Sequence, residues 1–313
     1  MARGRTALLI PLVASSAFMI AGPGTAHQGE VVFPIYELST ADLPDLHDRT
    51  LEDWEAVLPN ASLTQNDFIW SLNIASSVSV EDLAFRVFLA WHGASQKIYM
   101  GIERIDDIYL PFEEGSAGNG RTSLMVDGDH SGGKYWFFEQ DGYSEDESKS
   151  LFGAQAQEYV AEVEAPEDRT LRVASWATWA NEPPWADIGT FQQGESPNYS
   201  VVELAVTAWD DLDWRGPELS RRSVLRAGRF IGFNVVVMDF DIVNTPDGTY
   251  RLGRQAFSDK VADGSFSHSG FAENFVDGEL IPCNHGDCGS VPDEPTAVRL
   301  DSWGRIKAGL SVD

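Results

Sequence analysis

Apolar positions recur along this chain with the period of strands rather than of helices. Leu83 to Trp91 is rich in Phe, Val and Leu, and Lys97 to Ile105 continues the pattern. The short polar stretch His92-Gly93-Ala94-Ser95-Gln96 between them makes a hairpin signal. Further strands are predicted at Thr122–Val126, Gln157–Val163, Thr170–Ser175, Ser200–Trp209, Phe230–Asp239 and Ser302–Leu310. The clearest alternation is Val201-Val202-Glu203-Leu204-Ala205-Val206-Thr207-Ala208-Trp209. Two short helical turns are predicted near Leu51–Val57 and Asp146–Phe152. Many strands separated by turn signals, with no βαβ rhythm, point to an all-β sandwich or jelly roll. No repeat or low-complexity linker divides the chain, so residues 27–313 are expected to form a single domain.

The first segment has a different pattern. Arg3 and Arg5 precede an apolar run from Ala7 to Ile20, and small residues close it at Gly24-Thr25-Ala26. That order is the signature of a cleaved signal peptide over residues 1–26. The run is shorter than the ~20 residues that span a bilayer. A lipid anchor would need a cysteine beside the cleavage site, and the two cysteines lie far downstream. The expectation is a secreted or periplasmic protein without membrane insertion.

Composition narrows the partners. The chain carries 49 acidic against 22 basic residues, and losing Arg3 and Arg5 takes the net charge from −27 to about −29. Such a surface repels phosphate backbones, so no nucleic acid is expected, nor an anionic lipid surface. Neutral ligands, cations and basic proteins remain, and the charge also serves plain solubility. At 43% hydrophobic and 11% aromatic residues, a sizeable core is available.

Four local features carry candidate chemistry. Asp127-Gly128-Asp129-His130-Ser131-Gly132-Gly133 follows a predicted strand, with oxygen ligands Asp127, Asp129 and Ser131 at alternate positions. This matches the first half of a calcium loop. The twelfth position is Phe138 instead of Glu, and a tight turn capped by its own side chains is the alternative. Trp176-Ala177-Thr178-Trp179-Ala180-Asn181-Glu182-Pro183-Pro184-Trp185-Ala186-Asp187 carries three tryptophans in a loop-like composition. Trp176, Trp179 and Trp185 could stack on sugar rings while Asn181 and Asp187 bond hydroxyls, or they could fold back as a lid. Tyr135-Trp136-Phe137-Phe138 is a second cluster, from which Trp136 is the ligand candidate. Cys283 and Cys288 flank His285 in a loop-like stretch, where a disulfide competes with a metal site. Adjacent acids Asp106-Asp107 point to opposite faces of an extended chain and make no catalytic pair. There is no Gly-x-Ser-x-Gly elbow, zinc-protease His pair or phosphate-cradling loop, so no catalytic residue is assigned.

The run Asp82-Leu83-Ala84-Phe85-Arg86-Val87-Phe88-Leu89-Ala90-Trp91, then Lys97-Ile98-Tyr99-Met100-Gly101-Ile102-Glu103, Asp106-Asp107 and Ser123-Leu124-Met125-Val126-Asp127-Gly128-Asp129 resembles the family 9 carbohydrate-binding modules and their DOMON-like relatives. The resemblance covers residues 80–133, and Ser123-Leu124 stands where the family usually shows Val-Glu. It implies a jelly-roll β-sandwich with a few short helices, often with structural calcium, that binds polysaccharide or oligosaccharide between aromatic rings. Some DOMON-like relatives hold haem between Met and His. Met100, Met125 and Met238 with His92 or His268 are fixed by no motif, so no haem is expected. The reading is a secreted, non-catalytic carbohydrate-binding protein. A structural or interaction domain of the envelope, a glycan-active enzyme and a haem-binding redox domain are the alternatives.

Overall fold

The computed structural model describes residues 28–59, 62–70, 80–108, 121–139, 142–165, 170–241, 251–256 and 271–282. Residues 1–26, His268, the stretch Ser302–Leu310 and Cys283, His285 and Cys288, for which a signal peptide, a strand and a disulfide or metal site are expected from sequence, lie outside them. The strands are β1 (Gln28–Glu37), β2 (Ser62–Thr64), β3 (Ile69–Trp70), β4 (Leu83–His92), β5 (Lys97–Asp106), β6 (Arg121–Asp127), β7 (Gln157–Glu162) and β8 (Leu171–Val173). They continue as β9 (Ala186–Gln193), β10 (Asn198–Thr207), β11 (Trp209–Asp211), β12 (Arg221–Arg222), β13 (Phe230–Asp241), β14 (Arg251–Ala256) and β15 (Val276–Ile281). Two short helices interrupt them, α1 (Glu52–Val57) and α2 (Glu145–Leu151).

The strand path is β8-β7-β6-β13-β15-β1-β4-β5-β10-β9. On one side of β1 the pairs β8–β7, β7–β6, β6–β13 and β13–β15 are antiparallel. On the other side β4–β5, β5–β10 and β10–β9 are antiparallel as well. Strand β1 alone pairs in parallel with both neighbours, β15 and β4, and is the seam between two antiparallel halves. One core takes side chains from both halves: Leu124, Tyr159, Val173 and Phe233 from the first, and Phe85, Met100, Leu204 and Ala186 from the second. The halves therefore face each other, and the fold is an all-β sandwich.

The second half is buried on both faces. Phe85, Val87, Leu89 and Trp91 of β4 point into the main core. Phe88 and Ala90 point outward, beneath a strap of residues 45–57 that ends in α1. This is why β4 reads as an almost unbroken apolar run. Helix α2 has a full capping box: Glu147 N donates to Ser144 Oγ (3.3 Å) and Ser144 N donates to Glu147 Oε2 (2.9 Å). A segment read as loop, Ala186-Asp187 onward, is the edge strand β9. Its neighbour β10 supplies the pairing that its own sequence does not announce. Among the described residues no helix is long and apolar enough to cross a membrane.

Candidate functional site

Two places on the sandwich concentrate side chains able to hold a ligand. The first is an aromatic rim. The chain after β6 crosses the outer face of the first half, where Tyr135 packs with Met125, Val236 and Phe275. Gly153 N donates to the Tyr135 carbonyl at 2.8 Å and ties this crossing to the end of α2. Phe152 is thereby placed at the centre of a ring cluster. It stacks on Trp136 (6.3 Å, 16°) and meets Phe138 (5.1 Å) and Trp176 (5.7 Å) edge-on. Trp176 remains 40% exposed and Phe138 38%, with exposed Leu151 nearby in sequence at the end of α2. The structure thus brings together Trp136 and Trp176, forty residues apart in sequence, through Phe152.

Trp179 and Trp185 sit differently. They lie 5.2 Å and 5.4 Å from Trp209, which is fully buried, and 5.7 Å from each other. Trp179 Nε1 donates to the Asp213 carbonyl (3.2 Å), and the Arg222 guanidinium rides 5.5 Å over the Trp185 ring. Both rings are half-buried and close the end of the core, as the lid alternative requires. Asn181 Oδ1 accepts from Val173 N (2.6 Å), so that amide fastens the turn to β8. Asp187 Oδ1 accepts from Ile188 N (2.9 Å) and stands 3.5 Å from His47 Nε2.

The Asp127 turn is closed by its own backbone. Asp127 is fully buried, and its carboxylate accepts from Ser131 N (3.3 Å) and Gly132 N (2.7 Å). Asp129 Oδ1 also accepts from Ser131 N (3.2 Å). Burial, then the neighbouring Asp127 and Asp210 charges, hold the Asp129 carboxyl above its ordinary range, with Ser131 pulling the other way. Asp106 is buried and pairs with Arg104. Of the methionines, Met100 is in the main core and Met125 and Met238 are under Tyr135, while His92 bonds Thr40 and Ser95.

The second place was not marked out by sequence. In β10, Glu203 lies in register with Gly101 of β5 on one side and Gly189 of β9 on the other. A Cβ on Gly101 would come 2.8 Å from the Trp54 ring, and one on Gly189 would come 1.5 Å from the Leu46 carbonyl oxygen. Two missing side chains therefore let the strap settle onto the sheet. Trp54 Nε1 donates to Glu203 Oε1 (2.8 Å). Beside α1, Arg86 pairs with both Glu55 and Glu103, and Tyr199 Oη donates to Glu103 Oε2 (2.8 Å). Between strap and sheet a pocket of about 180 Å³ is lined by Leu46, His47, Arg49, Thr190, Phe191 and Glu203 among others. Asp48, Asp53 and Glu203 each bring a carboxylate oxygen within 4.8 Å of the others, a grouping in which a positive charge can sit. Burial, with the charges of Asp53, Asp48 and Asp45 added and the Trp54 hydrogen bond opposing, pushes Glu203 up to about 8. One signal was present: Glu203 is an acid set inside the apolar run of β10.

No protein-family model matches the sequence, and no curated protein matches it. Among solved structures, the chain is similar to a family 9 carbohydrate binding module from Caldicellulosiruptor kristjanssonii in complex with cellotriose. The identity is 12% and the TM-score 0.45, over 84% of this chain and 100% of that one. The same kind of module in complex with glucose gives 11% identity and a TM-score of 0.47, over 80% and 97% of the two chains. A protein from Bacteroides uniformis, provisionally described as carbohydrate-binding, gives 8% identity and a TM-score of 0.40, over 79% and 97%.

Proposed function

We propose that this is an exported protein that binds carbohydrate without transforming it, with the aromatic rim as the binding face. The observation that carries the reading is the open flank of Trp176 and Phe138 on a rigid base of Phe152 and Trp136. Rings fixed edge-on to one another offer flat apolar surface at little cost in side-chain entropy, which is what the apolar face of a pyranose requires. A neutral polymer also suits a chain of net charge −27. Trp179 and Trp185 pack against Trp209 at the end of the core and take no part in this face.

Titration of neutral oligosaccharides against intrinsic fluorescence tests the proposal. Covering roughly 60 Å² of the Trp176 ring at ~25 cal/mol per Å² is worth about 1.5 kcal/mol. Trp176→Ala is therefore expected to weaken binding about tenfold. Wild-type protein that responds to no oligosaccharide, or a Trp176→Ala variant that binds as tightly, defeats it.

Structural calcium at Asp127, Asp129 and Ser131 belongs to the same proposal. Its support is the alternate placing of these three oxygen-bearing side chains along the turn after β6.

A further inference from the structure

The tip of the hairpin between β4 and β5 carries a titratable group that neither the rim nor the strap pocket uses. His92 is the last residue of β4 and is 5% exposed. Its Nδ1 accepts from Ser95 N at 3.2 Å, and a backbone N–H can only donate. Nδ1 therefore carries a lone pair, and the proton of the neutral ring sits on Nε2, where it donates to Thr40 Oγ1 (3.2 Å). Ser95 Oγ lies 2.9 Å from the same Nδ1 and 3.4 Å from Tyr99 Oη. Thr40 begins the single turn Thr40–Asp42 through which β1 leads into the strap. One neutral imidazole thus ties the hairpin tip to the head of the strap. The tip also clasps a third segment. Gln96 Nε2 donates to the Leu225 carbonyl (2.9 Å), Leu225 N donates to Gln96 Oε1 (2.7 Å), and Arg222 donates to the Ser95 carbonyl (3.2 Å).

We propose that His92 is an acid-operated latch, which holds the hairpin tip closed while its ring is neutral and releases it when the ring takes a second proton. A proton on Nδ1 sets N–H against N–H and removes the acceptor of the Ser95 amide, and a half-buried amide without a partner costs free energy. The new charge has a counter-ion at hand. Glu37 lies in register with Trp91, and its Oε1 is so close to Gly93 that a Cβ there would come within 2.6 Å. The missing side chain at position 93 gives that carboxylate its place beside the tip. The other charged or titratable groups on the described elements packed here are Lys97, in register with His92, and Arg222 at the Ser95 carbonyl. Tyr99 stands edge-on to the imidazole at 6.4 Å, and the Asp42 carboxylate is taken up by Ser39. Burial, opposed by the Glu37 charge, holds the His92 pKa below its ordinary value. The stability that the latch contributes is therefore full above the ordinary value of ~6.5 and is lost as pH falls from there through the folded value. Neutral and bound to Ser95, or charged and turned toward Glu37, the ring has the two arrangements that a pH switch needs. The latch stands apart from the carbohydrate reading and does not depend on it.

The test is NMR of the full chain between about pH 7.5 and 5, following the His92 ring nitrogens and the hydrogen exchange of the Ser95 amide. At the neutral end the ring should be the Nε2–H tautomer, and its titration midpoint should lie below ~6.5. Ser95 protection, corrected for intrinsic exchange, should fall reversibly by about tenfold per pH unit below that midpoint. Leu204, paired on both sides in the middle of β10, should keep its protection over the same range, which separates release of the tip from global unfolding. Glu37→Gln should move the midpoint lower, and His92→Gln should leave Ser95 exchange without the pH dependence. If His92→Gln does not fold, the wild-type and Glu37→Gln curves decide the matter by themselves. An Nδ1–H tautomer at neutral pH, a midpoint at or above ~6.5, or one that Glu37→Gln leaves in place overturns the proposal. So does Ser95 protection that stays flat or falls together with that of Leu204.

Discussion

The buried carboxyl of Glu203 makes the stability of this chain fall as pH rises from the ordinary carboxylate range toward 8. Consider Glu203→Gln, which keeps an acceptor for the Trp54 indole N–H and removes the titration. In the folded wild type the group ionises at about 8, against an ordinary glutamate value of ~4.3 in the unfolded chain. The folded state therefore binds the extra proton between these limits, and stability is full below ~4.3 and is lost as pH rises toward 8. Each unit of displacement is worth about 1.4 kcal/mol, so the whole window holds at most about 5 kcal/mol. Water entering the pocket reduces this, and a loss of about 2–4 kcal/mol between pH 5 and 8 is the working figure. Urea unfolding at half-unit steps from pH 5 to 9 reads it directly. The difference between wild type and Glu203→Gln should widen in the variant's favour up to pH 8 and then level off. Parallel curves would show that Glu203 is not held protonated, and with that the description of the strap as a desolvating cover fails.

Other expectations follow from the same geometry. Gly189→Ala should cost about 1–3 kcal/mol in urea unfolding, because its methyl meets the Leu46 carbonyl and lifts the strap; an unchanged midpoint contradicts this. Trp209→Ala should cost about 3–5 kcal/mol, whereas Trp176→Ala should change the melting temperature little, since half its neighbour is solvent. Trp179→Ala should lower stability by about 1–3 kcal/mol and leave glycan affinity within twofold, measured by paired melting and fluorescence titration. Removing calcium with a chelator should lower the melting temperature of wild type by several degrees and leave Asp129→Asn unmoved; identical wild-type melts with and without chelator remove the ion from the Asp127 turn.

Much of the sandwich was legible because its strands are amphipathic or apolar over long runs. The Leu83 and Lys97 strands, the Ser200 strand and the Phe230 strand lie where alternation places them, and the two helical turns lie within a residue of α1 and α2. Strands β1, β2, β3, β9, β12, β14 and β15 were missed, and β11 was reached only at Trp209. β9 is partly exposed and follows a Pro- and Trp-rich stretch, and it becomes a strand by pairing with β10 rather than by its own preference. The aromatic rim was half legible. Trp136 and Trp176 stood out by type, but Phe152, the ring that joins them, closes a predicted helix and carries no local sign of its place. The Asp48–Asp53–Glu203 grouping was invisible for a simpler reason. It joins positions about 150 residues apart, and only the register of Glu203 between two glycines on neighbouring strands shows that the strap must descend there.

The seam strand has a consequence for biogenesis. Ile35 pairs with Leu280, so the first described strand waits for the last before its backbone groups are satisfied on that side. Closing so wide a loop is slow compared with forming the Leu83–Asp106 hairpin, whose partners are neighbours in sequence. While the ribosome is still adding residues, the two antiparallel halves can assemble as separate pieces, yet the edge that will receive β1 stays open. A nascent chain in that condition has its two halves still unjoined, and the sandwich locks only when β15 has been made.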